Sequence, residues 1–127
     1  LSRYESQSKE LKRVFGSNIS LFSKPINGQE FLRKTDCFVG SGGTMTAESS
    51  LLGIPTISLN SVPNRIEDYL VKKKLIVRAE TSEKISKEVF RALNDNNFMK
   101  KRKIQAKEIT SSFEDPYQIL LKTIRTL

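Results

Sequence analysis

The sequence contains no histidine and only one cysteine, Cys37. The absence of histidine excludes His-based acid–base catalysis, Ser-His catalytic triads and His-ligated metal sites within this chain. One cysteine excludes an internal disulfide and a structural zinc site, and it suits the reducing cytoplasm, where we expect the protein to act. Cys37 lies in an apolar run, which favours the role of a small buried hydrophobic residue. Any catalytic base must be a carboxylate, a lysine or a tyrosine, or must come from another domain.

Long apolar runs are also absent, since none approaches the roughly 20 residues of a membrane-spanning helix. The 127 residues suit one domain, and their formal net charge is +8. The basic excess is C-terminal, at 72–74 and 100–103. No aromatic residues interleave with these lysines as a base-stacking surface requires, so solvated helix faces are favoured over a nucleic-acid site. The same basic helices could contact an anionic membrane surface peripherally.

Short apolar runs alternate with helical patterns along the chain. Strands are predicted at 19–22, 37–39, 56–59 and 75–77, with the tail of an earlier strand at 1–4. Helices are predicted at 6–15, 29–34, 44–52, 66–74, 82–93, 97–109 and 116–126. This alternation is typical of βαβ units around a buried parallel sheet. We predict a doubly wound, Rossmann-like α/β domain over 1–127, with residues 94–127 as a helical C-terminal extension.

A cluster of glycines, Gly40-Ser41-Gly42-Gly43, follows the strand predicted at 37–39 and precedes a helix. In a parallel sheet such a loop lies at the carboxyl ends of the strands, where ligands bind. The first N–H groups of a helix have no intrahelical partner, and the helix dipole favours an anion there. Ser41 and Thr44 add hydroxyl donors. A phosphate-binding loop and a simple tight turn both fit this pattern.

Two common phosphate loops do not fit. The Walker A loop requires a Gly-Lys-Ser/Thr sequence, and this loop contains no lysine. The dinucleotide fingerprint requires a third glycine where Met45 stands, and an acidic residue near the end of the next strand, where 59–61 offer none. The sequence therefore argues against an NAD or FAD site.

Glu48 lies four residues after Thr44, so both fall on one face of the helix, a turn from its start. A carboxylate there can accept hydrogen bonds from two hydroxyl groups, as in a ribose. The alternative is that Glu48 only complements the helix dipole on an exposed face.

The residues "SGGTMTAE" at 41–48, followed by "LGIP" at 52–55, resemble the nucleotide-sugar loop of GT-B-fold proteins. The bacterial N-acetylglucosaminyltransferase of peptidoglycan synthesis has a similar loop, a glutamate at the same offset and a Gly-x-Pro before the next strand. The chain is most similar to domain-of-unknown-function family 354, which combines this pattern with an earlier Arg-Tyr-Glu, read here as Arg3-Tyr4-Glu5. The likeness covers most of 1–93.

This resemblance implies the C-terminal half of a two-domain GT-B protein, with the N-terminal half absent from this chain and supplied in cis or in trans. The half present would bind a nucleotide-diphosphate-sugar, expected to be a UDP-sugar, as substrate and not as cofactor. Its diphosphate would be bound by Ser41, Gly42, Gly43 and Thr44, with Arg3 neutralising phosphate charge. Glu48 would bind the ribose hydroxyls. The isolated chain would be inactive, since the other half would hold the acceptor.

Three functions stay open: a glycosyltransferase-like enzyme, a UDP-N-acetylglucosamine 2-epimerase or hydrolase, and a non-catalytic subunit or scaffold. The epimerases carry a His-Arg pair where this chain has Ser2-Arg3, which disfavours the second function. Asn64 and Arg65 fall where the sugar would be read, although their match to relatives is poor. Relatives often place glycine at the position of Lys74, so this lysine must adopt a positive φ or the helix must end differently.

Overall fold

Helices and short strands alternate along most of the chain. The computed structural model describes residues 5–22, 24–59 and 62–126. Its strands are β1 (Phe38–Gly40), β2 (Thr56–Ser58) and β3 (Ile76–Arg78). Its helices are α1 (Glu5–Phe15), α2 (Gly28–Arg33), α3 (Thr44–Leu51), α4 (Arg65–Lys72), α5 (Ser82–Asn94), α6 (Asn96–Ser111) and α7 (Pro116–Thr126), with a 3-10 turn at Gly16–Asn18. The prediction of an α/β, Rossmann-like fold is confirmed.

The three strands form a parallel sheet in the order β1-β2-β3. Val39, Ile57 and Val77 are in register across it. Every residue of the central β2 is buried. The prediction that 37–39 would be a buried strand is only partly right, because Val39 is 43% exposed. The layer that covers Ile57 does not extend over Val39 at this edge of the sheet.

The chain divides into two compact units, residues 1–31 and 32–127. The first contains α1, the 3-10 turn and the start of α2. The strand predicted at 19–22 is wrong, since these residues have no regular structure and pair with no described strand. A short apolar run does not by itself distinguish a strand from other buried segments, and Phe22 is held by an edge-on contact with Phe31, with ring centroids 5.5 Å apart. The strand tail predicted at 1–4 lies outside the described residues.

The second unit contains the sheet and the main apolar core. α3 packs on β1 and β2, α4 packs on β3, and α6 packs on α3 and α5. The cluster between them consists of Leu70, Leu75, Ile76, Ala106 and Ile109. Because its members come from α4, β3 and α6, burying their apolar surface attaches the C-terminal helix α6 to the sheet.

Side-chain caps fix several helix starts. The side chain of Asn27 accepts a hydrogen bond from Glu30 N at 3.1 Å. Thr81 caps α5 by accepting from Lys84 N at 3.3 Å. Asp95 does the same for α6 by accepting from Phe98 N at 2.9 Å. Each cap satisfies a backbone donor that the helix itself leaves free.

α3 and α4 end in the same hydrogen-bond pattern, in which the residue after the C-cap adopts a positive φ. After α3 this residue is Gly53, at φ +76°. After α4 it is Lys74, at φ +59°. Lys74 N donates to Val71 O at 2.8 Å, and the next N–H, of Leu75, donates to Leu70 O at 2.9 Å. The first predicted alternative for Lys74, a positive φ, is therefore confirmed.

The helices predicted at 97–109 and 116–126 are confirmed as α6 and α7. α7 buries none of its residues. Its large apolar side chains, and that of Phe113 before it, are mostly exposed: Phe113, Tyr117, Ile119, Leu120 and Ile124. Across the described ranges, no helix combines the length and apolarity that crossing a bilayer would require.

Candidate functional site

The glycine loop lies at the carboxyl edge of the sheet, between the end of β1 at Gly40 and the start of α3 at Thr44. Gly42 has φ +97°, a conformation that favours glycine. A Cβ at Gly42 would also stand 2.5 Å from Glu67 Oε2, so the position requires glycine for two reasons. At Gly40 a Cβ would stand 2.5 Å from Thr46 Oγ1. Two of these glycines are therefore needed for the turn itself.

Thr46 holds the loop in place from inside α3. Its buried Oγ1 accepts hydrogen bonds from the N–H groups of Gly42 and Gly43, both at 3.3 Å. The loop thus has an internal acceptor, and an incoming phosphate would compete with it for these two donors. Sequence analysis did not single out Thr46. A hydroxyl residue at the third position of a helix, facing the preceding loop, is the signal that could have identified it.

The three backbone N–H groups that follow the loop have no hydrogen-bond acceptor among the described residues. These are the N–H groups of Thr44, Met45 and Thr46. Gly43, directly before them, borders open space, because a Cβ added there would meet no atom within 4 Å. The hydroxyl-bearing residues Ser41 and Thr44 are exposed beside this space. The structure thus brings together the four loop residues that sequence analysis assigned to a diphosphate.

Glu48 lies in α3, one turn from its first residue, and is half-buried. Its backbone carbonyl accepts the hydrogen bond of Leu52 N at 3.0 Å. Its carboxylate forms no ion pair or hydrogen bond with any other residue that the structure describes. Glu48 is therefore available to bind hydroxyl groups on the face of α3 below the loop.

A second glutamate, Glu67 of α4, borders the loop more closely. Its side chain is 3% exposed, and its Oε1 accepts from Arg78 Nε at 3.1 Å. Its Oε2 is buried against Gly42 and has no hydrogen-bond partner among the described residues. A buried carboxylate oxygen without a donor is destabilising. Glu67 Oε2 is thus a buried acceptor beside Gly42 that no described residue uses.

Arg78, at the end of β3, links Glu67 to Asp68. Its Nη2 donates to Asp68 Oδ1 while its Nε donates to Glu67. The hydrogen bonds that it donates to Asp68 and, next, to Glu67 raise the pKa of the Arg78 guanidinium, which therefore stays charged. Sequence analysis assigned no role to Glu67. The available signal was its spacing of three residues from the core residue Leu70, which puts a carboxylate on the buried face of α4.

Asn64 and Arg65, the residues predicted to face a sugar, have different surroundings. Asn64 caps α4, since its Oδ1 accepts from Glu67 N at 2.9 Å. Its Nδ2 donates to Val62 O at 3.1 Å and lies 3.5 Å from Gly42 O. Both ends of this amide are thus engaged in joining α4 to the loop. Arg65 is exposed in the first turn of α4.

Arg3, predicted to neutralise phosphate charge, lies outside the described residues. Cys37 is partly buried, and burial, followed by the nearby charge of Asp36, raises the pKa of its thiol. This agrees with its predicted role as a small hydrophobic residue. Across 5–22, 24–59 and 62–126, no group of three or more His, Cys, Asp or Glu residues could hold a metal ion.

Comparison with known proteins gives a family for the chain. No solved structure matches it. The uncharacterised protein MJ0665 of Methanocaldococcus jannaschii is 28% identical over 95 residues, which are 72% of this chain and 26% of that protein. The chain thus spans about a quarter of the length of this relative. The sequence model described as "Protein of unknown function (DUF354)" matches residues 1–126. This match shows that the chain, whose glycine loop lies at the carboxyl edge of a parallel sheet, belongs to the DUF354 family.

Proposed function

We propose that this chain is the nucleotide-diphosphate-sugar-binding half of a glycosyltransferase-like protein, with a UDP-sugar as its ligand. The observation that carries the proposal is the set of three free N–H groups at the start of α3, which face open space at Gly43. The carboxylate of Glu48 stands unengaged one helical turn further on. A donor cluster for an anion, followed by an acceptor for hydroxyl groups, matches the order of diphosphate and ribose in a nucleotide.

The diphosphate would bind where the N–H groups of Thr44, Met45 and Thr46 converge. These donors carry the positive end of the α3 dipole, and Ser41 and Thr44 add hydroxyl donors. In a group-transfer reaction the diphosphate is the leaving group, and fixed donors would stabilise the negative charge that develops on it. The loop needs no rearrangement for this role, because Thr46 already holds it in its turn.

The sugar would lie towards Glu67. Arg78 pairs with Glu67 Oε1, and Oε2 is buried against Gly42. Glu67 would therefore shape this side of the site without contacting the ligand. Asn64 would act in the same indirect way, by fixing the start of α4 next to Gly42.

The reaction would need a second domain that holds the acceptor. The chain matches about a quarter of its relative from Methanocaldococcus jannaschii, which leaves room for such a domain in a protein of that length. Because the chain has no histidine, a histidine base would also have to come from elsewhere. Binding of the nucleotide is therefore the activity to test in this chain.

Gly43→Ala gives the most direct test. Gly43 has φ −131°, which alanine adopts readily, and an added methyl group meets no protein atom. The methyl group would instead take up open space next to the start of α3, where the diphosphate is proposed to bind. We expect UDP affinity to fall on the order of tenfold or more, or about 1.4 kcal/mol, in a chemical-shift titration of the labelled chain.

Gly28→Ala is the matched control, since Gly28 also has no atom within 4 Å of an added Cβ and lies in α2. UDP affinity equal in the wild type and both variants would refute a diphosphate site at this loop. A further variant, Glu48→Gln, should weaken the binding of UDP but leave the binding of inorganic pyrophosphate unchanged, because only UDP carries a ribose. Glu108→Gln, at an exposed position on α6, controls for the loss of charge.

A further inference from the structure

A cavity lies at the opposite edge of the sheet from the glycine loop. Its volume is about 280 Å³, near the lower end of the range for small-molecule sites, about 300–1,000 Å³. Residues that precede β1 and β2, together with one face of α6, form its walls. Because strands in a parallel sheet begin at one edge and end at the other, this cavity and the glycine loop are separate sites.

The cavity concentrates positive charge. Arg33, Lys34 and Lys103 line it, against one carboxylate, Asp36. Neither Arg33 nor Lys103 forms an ion pair with any residue in the part of the chain that the structure describes. Arg33 and Lys103 together carry two positive charges, close in magnitude to the charge of a phosphate monoester near neutral pH, about −1.5 to −2.

The backbone fixes the position of Lys103. Gly53 follows α3 at φ +76°, and a Cβ on it would stand 2.8 Å from Lys103 Cα. The two backbones are therefore in direct contact, and the cation on α6 is set against the turn that precedes β2. A cation near a helix C-terminus interacts favourably with the helix dipole, which explains the position of Arg33 in the last turn of α2. Lys103 lies in the middle of α6, and its contact with Gly53 puts it beside the end of α3, where the same effect applies.

We propose that this cavity binds a phosphate monoester, with Arg33 and Lys103 as its main charge partners. Lys34 adds a third cation, and Met99 provides an apolar wall for the group esterified to the phosphate. Two sources have this chemistry: a small phosphorylated metabolite, and a lipid that carries a terminal phosphate. The proposal is independent of the glycine loop, because no residue is shared between the two sites.

The test is a chemical-shift titration of the labelled 127-residue chain with glycerol 3-phosphate, with glycerol as the neutral control. We expect saturable shifts at Gly53 and Met99 with the phosphate only. The R33Q/K103Q variant should weaken binding on the order of tenfold or more, since it removes two charge-assisted hydrogen bonds. K100Q/K101Q removes the same charge from α6 outside the cavity, and should change affinity less than about threefold by the same conversion.

Equal weakening by both double variants would overturn the proposal, because it would show attraction to overall charge alone. Loss of stability in R33Q/K103Q with unchanged glycerol 3-phosphate binding would overturn it as well, since the cations would then only serve helix ends. Sedimentation with phosphatidylcholine vesicles containing phosphatidic acid or, at equal surface charge, phosphatidylglycerol separates the sources. Selective binding to phosphatidic acid that R33Q/K103Q abolishes supports a lipid as the ligand. Binding of glycerol 3-phosphate alone supports a phosphorylated metabolite. If neither probe binds, both sources are refuted.

Discussion

Replacing Thr46 by valine tests whether one hydroxyl group holds the glycine loop. Valine keeps the shape of the side chain but removes Oγ1, the acceptor for the N–H groups of Gly42 and Gly43. Gly43 is exposed, so water can replace its lost partner, whereas Gly42 is buried. Leaving one buried donor unsatisfied costs about 1–3 kcal/mol. We therefore expect the free energy of unfolding to fall by about that amount.

Urea denaturation followed by circular dichroism measures this change. With a slope of about 1–3 kcal/mol per molar urea, the midpoint should fall on the order of 1 M. Thr46→Ser retains the oxygen and should restore most of the stability. Thr110→Val, in the exposed part of α6, controls for the substitution itself, since the Thr110 hydroxyl only donates to carbonyls of its own helix. If Thr46→Val and Thr110→Val change stability equally, the hydroxyl does not hold the loop.

Two further predictions concern the helix ends and the cysteine. Gly53→Ala should lower the melting temperature, since a non-glycine residue at this φ costs about 1–2 kcal/mol and the Cβ would displace Lys103. Lys74→Gly should raise the melting temperature, with a gain in the free energy of unfolding of up to about 1 kcal/mol after the entropy cost of glycine. If the melting temperature shifted in the same direction in both variants, the two helix ends would not share one geometry. Because burial raises the pKa of Cys37, less thiolate is present at a given pH, so iodoacetamide should alkylate it more slowly than free cysteine at neutral pH. The rate should still increase above the ordinary thiol pKa of about 8.5, and a plateau at that pH in mass-spectrometric time courses would show an unperturbed thiol.

Local sequence signals predicted most of the helices and the ends that depend on one residue. Lys74 is an example, because a positive φ at a helix end depends on chemistry within a few residues. The prediction of a strand at 19–22 was wrong for the opposite reason, since a strand depends on a neighbour that is often far away in sequence. Its composition alone gives no information about such a neighbour.

The candidate site divides in the same way. The spacing from Ser41 to Glu48 lies within one loop and one helix, so the sequence was enough to place these residues together. The contact of Glu67 with Gly42 spans 25 positions and depends on how α4 packs against the loop. The hydrogen bonds of Thr46 are local, yet a threonine inside a helix has several partners to choose from. Only the structure shows which of them it takes.

The close packing at Gly53 limits how the glycine loop can respond to different ligands. α3 has eight residues, a length of about 12 Å, with the loop at its start and Gly53 shortly after its end. Lys103 leaves no space beside Gly53 into which the helix could slide. If the loop binds a nucleotide as proposed, it would meet each ligand with the same shape, and selection among ligands should depend on how well each adapts to it. If a ligand had a shorter linker or one phosphate fewer, a movement of α3 could not compensate for it.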